Sequence, residues 1–158
     1  MTDARTTSTP PATYQHTQTG PWHFVLFSIG TLQLIVAVAL RQEPYLGLIF
    51  MSCSILMCVL AFSCRSLTIE DRGEHLVVRF GPLPLLQQKI AYKDIVSATV
   101  SHTTMLDGFG IHYSLRGGWV WNIWGFPCVH VKLTKSQLWL GSDEPEKLAA
   151  WIVNRLEG

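Results

Sequence analysis

The residues best suited to chemistry are His75, His102, His112 and His130, with Cys53, Cys58, Cys64 and Cys128. Imidazole nitrogens and thiolates hold zinc when they converge at short, regular spacings. None of these histidines forms an H-x-x-x-H or H-E-x-x-H pair, and no two cysteines form C-x-x-C. Neither a metal site nor a redox dithiol is signalled. His75 and His130 are expected on the outer faces of strands, and the cysteines are expected to be free thiols that pack as small apolar residues. There is no G-x-S-x-G elbow and no phosphate-binding loop. The chain is therefore expected to carry no catalytic residues, no metal and no cofactor, and not to be an enzyme.

Charge narrows the partners. The chain holds 12 Lys/Arg and 11 Asp/Glu, a charged fraction of 15%. Two of each precede residue 65, which leaves ten against nine beyond it. Nucleic acid needs a basic stripe to neutralise phosphates, so it is not an expected partner.

The elements that position everything else lie between Trp22 and Ser63. Two apolar segments, 22–40 and 45–63, are joined by Arg41-Gln42-Glu43-Pro44. Each has about 19 residues, and at ~1.5 Å per residue a helix of that length matches the ~30 Å hydrocarbon layer. Neither segment contains Lys, Arg, Asp or Glu. Trp22 and Tyr45 stand at the segment starts, where amphipathic rings favour the headgroup layer. Pro44 can open a helix because its missing N–H would be unpaired there anyway. Residues 21–64 are thus expected to form a transmembrane hairpin of antiparallel helices, with the lipid bilayer as the first partner.

Gln33 falls near mid-membrane, where a bare amide is costly. In an antiparallel hairpin it reaches the depth of Ser52, so a bond to Ser52 or Ser54 is expected to satisfy it. Gly47, Ser54 and Ala61 recur every seven residues, with Cys58 beside them, and Gly30 and Ala37 flank Gln33 at the same spacing. These small-residue faces can meet each other or support a homo-oligomer. Arg41 is the sole cation of the turn, whereas Arg65, Arg72 and Arg79 follow the second segment. By the positive-inside rule both termini are expected to be cytoplasmic in a two-pass protein of the inner cell membrane. Ala37-Val38-Ala39 has the small-x-small form of a signal cleavage site. The region ahead is long, however, and carries one Arg against one Asp, so cleavage is not expected.

Residues 1–20 are rich in Thr and Pro and poor in large apolar residues, and are expected to be a disordered polar tail. Beyond residue 65 the period changes to two. Leu67 and Ile69 alternate with Thr68 and Glu70, and Leu76, Val78 and Phe80 with Val77 and Arg79, about the turn Asp71-Arg72-Gly73-Glu74. Gly81-Pro82-Leu83-Pro84 breaks the pattern. Further strands are expected over 86–91, 95–101, 119–124, 128–134 and 137–141, with a long loop over 102–118. Asp143 and Glu146 form a capping box ahead of a helix over 144–157, whose apolar face holds Leu148, Trp151, Ile152 and Leu156.

Arg79-Phe80-Gly81-Pro82, Ile90-Ala91-Tyr92-Lys93-Asp94-Ile95, Gly108-Phe109-Gly110-Ile111-His112, Gly118-Trp119-Val120-Trp121-Asn122 and Gly141-Ser142-Asp143-Glu144-Pro145 occur in that order. This series resembles bacterial pleckstrin-homology-like domains, and the whole is similar to small bacterial membrane proteins that place such a domain after two membrane helices. The resemblance covers about residues 22–157. It implies an α+β membrane protein: a helical hairpin, then an antiparallel β-barrel or bent sheet over 65–158, capped by the C-terminal helix. It brings no catalytic residues. His112 stands where sequences of that kind often carry Arg, so an anion contact at that point is not implied.

The first strand pair has an acidic turn, Glu70-Asp71-Arg72-Gly73-Glu74, which disfavours phosphate; headgroup recognition normally uses a cluster of four to eight cations. Aromatic residues are denser. Trp119, Trp121 and Ile123 share one strand face and are expected in the core. Phe109, Trp124 and Phe126 sit among glycines, where they can pack in loops or form a contact surface. The expected function is an interaction or scaffold module at the cytoplasmic membrane surface, meeting a protein partner or a second copy through its helices or aromatic loops. The alternatives are an accessory subunit of a membrane enzyme or transporter, and a lipid-sensing domain.

Overall fold

The computed structural model describes residues 13–82, 85–104, 107 and 109–157. Most of the expected tail, Leu83-Pro84 of the expected break, and Gly108 of the quoted series lie outside the described residues.

Two helices, α1 (Trp22–Ala39) and α2 (Pro44–Ser63), pack antiparallel. Their contact is made by the small residues that recur at heptad spacing: Gly30 and Ala37 on α1, Ser54 and Ala61 on α2, all buried. A Cβ on Gly30 would stand 3.3 Å from Met57 Cβ and 3.4 Å from the Cys58 sulfur. The small faces are therefore used within the hairpin. The remaining surface of both helices is apolar and open, with Phe24 and Leu48 each 66% exposed. Both helices are long and apolar enough to cross a membrane.

The hairpin is an insertion between two paired strands. Strand β1 (Gln15–Thr19) precedes α1 and β2 (Ser66–Asp71) follows α2, and Thr19 lies opposite Ser66. The expectation of a disordered tail through residue 20 is corrected here. Gln15–Thr19 have no apolar run to betray a strand, and their order comes from the ladder to β2, supplemented by a Thr17–Thr68 hydroxyl bond of 2.9 Å. Strands β3 (His75–Phe80) and β4 (Leu86–Ala91) complete a four-stranded antiparallel sheet in chain order.

The second sheet runs β5-β8-β9-β7-β6, with β5 Ile95–His102, β6 Gly110–Tyr113, β7 Trp119–Asn122, β8 Pro127–Leu133 and β9 Gln137–Gly141. Strand β6 lies inside the stretch expected to be loop. Strands β7 and β9 pair in parallel, against the expectation of a wholly antiparallel sheet. Two glycines make that pairing possible. A Cβ on Gly118 would come within 2.3 Å of the Gln137 carbonyl oxygen, and one on Gly141 within 2.2 Å of Asn122 Oδ1. Asn122 also shapes the crossover to β8, donating to the Gly125 carbonyl at 2.8 Å and accepting from the Trp124 N–H at 3.2 Å.

The two sheets share one core, in which Phe80 meets Trp121 at 5.9 Å between ring centres. They do not close into a barrel. Helix α3 (Pro145–Glu157) lays Leu148, Ala149 and Ile152 on that core, against β5 and β8. The expected capping box does not form. The helix opens at Pro145, the Ser142 hydroxyl accepts from the Glu144 N–H at 3.1 Å, and the Asp143 carboxylate is taken by His16 of β1. Trp119 departs from the core position expected for it: it is 48% exposed on β7, edge-on to Tyr113 of β6.

A buried carboxylate ties the ends of the chain together. Asp71 accepts from the Gly73 N–H and Tyr92 hydroxyl, both at 3.0 Å, and from Arg155 of α3 at 2.9 Å. Trp151 Nε1 donates to the Tyr92 hydroxyl at 3.3 Å, and Tyr14 stacks on the Trp151 ring. Burial, offset in part by the Trp151 bond, pushes the Tyr92 phenol up to about 12.

The hairpin is seated on this domain at Gly81. Its φ is +66°, and an added Cβ would lie 2.6 Å from the Phe62 carbonyl oxygen and 2.8 Å from Ser63 Cα. Gly73 has a similar φ of +74° but open space around it. Gly73→Ala should therefore cost only the left-handed backbone penalty, about 1–2 kcal/mol. Gly81→Ala should cost that and the displaced helix end, roughly 3 kcal/mol or more. Denaturant unfolding followed by tryptophan fluorescence compares them; equal losses would mean that the end of α2 does not bear on the β3–β4 turn.

Candidate contact site at the foot of the hairpin

Three aromatic rings from distant parts of the chain meet where α1 leaves the β domain. Trp22 opens α1, Phe109 immediately precedes β6 and Trp124 immediately follows Ile123 beyond β7. Phe109 and Trp124 stack at 5.3 Å between ring centres, with 21° between their planes. Trp22 lies 5.8 Å from Phe109 and meets Trp124 edge-on at 6.4 Å. Edge and offset contacts of this kind suit the ring quadrupoles and rigidify the cluster.

Backbone constraints place these rings. Gln18 of β1 donates to the Trp124 carbonyl at 2.7 Å. Gly20 packs against Ile123 and Trp124, where an added Cβ would stand 3.1 Å from the Ile123 side chain. His23 Nδ1 donates to the Gly20 carbonyl at 2.7 Å and fixes the first turn of α1. Beside the cluster lies an apolar crevice of about 420 Å³, lined by Trp22, Leu26, Cys64, Phe80, Phe109, Gly110 and Ile123.

Of the expected contact residues, the structure joins Phe109 to Trp124 and leaves Phe126 apart. Phe126 is exposed, and its carbonyl accepts from Thr103 N–H and hydroxyl at 2.7 and 3.1 Å. Trp22 is the member that sequence patterning missed as a site residue. Its place at a helix start marked it as a headgroup-level ring, but only the β1–β2 pairing brings that helix start beside Trp124.

The expected bond from Gln33 to Ser52 or Ser54 is not made. Ser54 donates to the Gly30 carbonyl at 2.8 Å across the hairpin, and Ser52 donates to the Leu48 carbonyl of its own helix at 2.8 Å. Gln33 Oε1 is buried without a partner. The short serine side chains reach the nearest carbonyl before they can reach an amide. Gln33→Leu should therefore leave the thermal midpoint unchanged or raise it, because it removes an unsatisfied acceptor and no bond. A loss of more than about 1 kcal/mol would mean that the amide makes a bond in the intact protein.

The densest polar cluster lies on the other face of the second sheet. Buried Asp107 accepts from the Ser114 hydroxyl at 2.6 Å, the Thr104 N–H at 2.9 Å, the Thr104 hydroxyl at 3.0 Å and Arg116 at 2.6 Å. Arg116 also lies 4.2 Å over the Trp139 ring, on which His130 stacks. Burial alone would raise the Asp107 carboxyl, but the bonds from Ser114 and Thr104 and the Arg116 charge outweigh it and hold it at about 2. Nearby Cys128 is fully buried, and burial pushes its thiol up to about 11, so it stays protonated and unreactive at neutral pH. The cluster is saturated by its own bonds, which suits a brace joining Thr104 and Asp107 to Ser114 and Arg116. Among the described residues, no three His, Cys, Asp or Glu side chains gather to hold a metal ion.

Cations near the first strand pair are also engaged. Arg72 Nε donates to Glu70 at 2.6 Å, and Arg79 lies 4.0 Å from the same carboxylate.

Because the Asp107 pKa is lowered from 3.8 to about 2, its contribution is complete above pH ~4 and is lost as pH falls towards ~2. Asp107→Asn should cost on the order of 2 kcal/mol at neutral pH and progressively less on acidification through that window. Denaturant midpoints measured against pH for both proteins check it; a difference independent of pH would remove the ionic part of the brace.

No protein-family model matches the chain, and no curated protein matches it.

Proposed function

We propose that the chain is a bilayer-anchored interaction module. On this reading α1 and α2 cross the membrane as an antiparallel pair, and the two-sheet domain with its C-terminal helix is a pleckstrin-homology-like unit held against the membrane surface. The observation that carries it is the hairpin surface. Beyond the seam where the two helices meet and the root where α1 and α2 join the β domain, it is dominated by exposed apolar side chains. Water does not tolerate so large a contiguous apolar surface, whereas hydrocarbon does. The excess of Arg65, Arg72 and Arg79 over Arg41 favours the domain side as the cytoplasmic one.

The aromatic cluster supports an interfacial role. Trp22 at the helix start, with Phe109 and Trp124 beside it, lies at the level where the proposed bilayer gives way to the domain, and tryptophan rings favour that layer. Recognition of a phosphate headgroup by the β2–β3 turn is disfavoured, since Arg72 and Arg79 both face Glu70. Two sheets around one core, closed by a helix, fit the pleckstrin-homology-like reading; the parallel β7–β9 pair departs from a plain meander.

Expression of the full chain in bacteria, followed by an alkaline carbonate wash, tests the anchor: the protein should stay in the membrane pellet, and release into the wash would overturn the bilayer reading. Photo-crosslinking residues placed in turn at Phe109, Trp124 and Phe126 test the module. A discrete protein adduct at one of these positions is the expected result. Membrane retention with no protein adduct at any of the three would withdraw the aromatic loops as a partner surface.

A further inference from the structure

We infer that the crevice at the foot of the hairpin holds an acyl chain of a bilayer phospholipid. The inference deepens the anchored reading and rests on it. Its volume of about 420 Å³ falls within the roughly 300–1,000 Å³ typical of ligand pockets. Its walls are Trp22 and Leu26 of α1, Cys64 at the end of α2, Phe80 and Ile123 of the domain core, and Phe109. None is charged. A polar metabolite would find almost nothing there to orient it, because specific small-molecule sites pair an apolar wall with a few convergent polar groups. A hydrocarbon chain needs only the wall.

The surroundings say which hydrocarbon. Leu26 lies on α1 between Val25 and Ile29, whose exposed side chains belong to the surface assigned to the bilayer. The crevice is thus continuous with that surface and runs from it towards Phe80 and Ile123, each 2% exposed or less. A chain leaving the hydrocarbon layer could enter without crossing water, and each buried methylene would gain about 0.8 kcal/mol. Trp22 and Phe109, with Trp124 stacked behind Phe109, wall one side of the opening at the proposed headgroup level. Arg65, next to Cys64, is exposed and makes no ion pair among the described residues. It supplies an unpaired cation one residue along the chain from a wall of the crevice, suited to a lipid phosphate.

The site would tie the domain to the bilayer at a second point, beside the helices themselves. The full chain, purified in detergent, is mixed with a stoichiometric amount of phosphatidylglycerol carrying a diazirine along one acyl chain, irradiated, digested and mapped by mass spectrometry. Adducts should concentrate at Leu26, Cys64 and Phe109 over Ile35 and Leu48 on the outer hairpin surface. Filling the crevice with Leu26→Trp should lower the Phe109 adducts severalfold and leave those at Ile35 and Leu48 unchanged. Cys64→Phe gives the same test from the opposite wall, and circular dichroism identifies a variant that has failed to fold. Adducts at Ile35 and Leu48 with none at Phe109, or Phe109 labelling that neither filling variant reduces, would overturn the crevice while leaving the anchored reading in place. Absence of adducts anywhere on the hairpin, together with release in the carbonate wash, would overturn both.

Discussion

The structure depends on how a helical hairpin is inserted between two paired strands. Thr19 and Ser66 face each other in the β1–β2 ladder, so the start of α1 and the end of α2 are brought together by backbone hydrogen bonds of the sheet. The turn at Gly81 then closes against Phe62 and Ser63 with no room for a side chain. A single connection would leave the domain free to swing about a flexible joint. Two short connections, 20–21 and 64–65, together with a backbone contact at Gly81, fix the direction in which the hairpin leaves the domain. The aromatic cluster follows from this constraint, because Trp22 reaches Phe109 and Trp124 only when β1 is in register.

Two buried carboxylates carry the polar side of the design. Asp71 ties the β2–β3 turn to Tyr92 and to Arg155 of the last helix, and Asp107 ties the approach to β6 to Arg116. Each accepts several bonds, which is the condition under which a buried charge is tolerated. Removal of one partner leaves the other desolvated, so these clusters define one arrangement of the chain more than they add net stability. Tyr14, stacked on Trp151, and His16, paired with Asp143 and Glu144, bring β1 into the same scheme. The N-terminal strand is thereby held by sheet, helix and turn together.

Much of this was legible in the residues. Period and length gave both helices within a residue, and the heptad of small residues gave their contact face. Alternation gave β2 and β3, the spans expected for β4 and β5 lay within a residue of those observed, and the last helix lay close to its expected span. What escaped was long-range. Gln15–Thr19 form a strand because β2 offers an edge, and nothing in their own side chains says so. The parallel β7–β9 pair is written in Gly118 and Gly141, whose absent Cβ atoms make way for Gln137 and Asn122, but spacing alone cannot say which strand a glycine lets approach. Gln33 failed for the same reason at smaller scale: Ser54 had a nearer acceptor in the Gly30 carbonyl. At the candidate site, Phe109 and Trp124 were identifiable as aromatics among glycines, while Trp22 required the fold.

A rigid root has a consequence for the kind of recognition this domain could perform. On the anchored reading proposed above, a module confined to a membrane meets membrane-bound partners at a raised effective concentration, so a small surface can suffice where a soluble protein would need a large one. Two groups of exposed aromatic rings bear on the domain, Trp22, Phe109 and Trp124 at the foot of the hairpin and Tyr113 with Trp119 farther along the β6–β7 pair, while Phe126 stands apart from the first. Flexible tethering would waste that advantage by letting either patch face any direction. Because the hairpin direction is set by Gly81 and by the β1–β2 ladder, the first patch is held at one depth relative to the helices. The strand pair Gly110–Tyr113 and Trp119–Asn122 carries the second patch outward from it. Orientation is therefore supplied by the fold before any partner binds, and the cost of ordering that recognition would otherwise bear is met at the hairpin root.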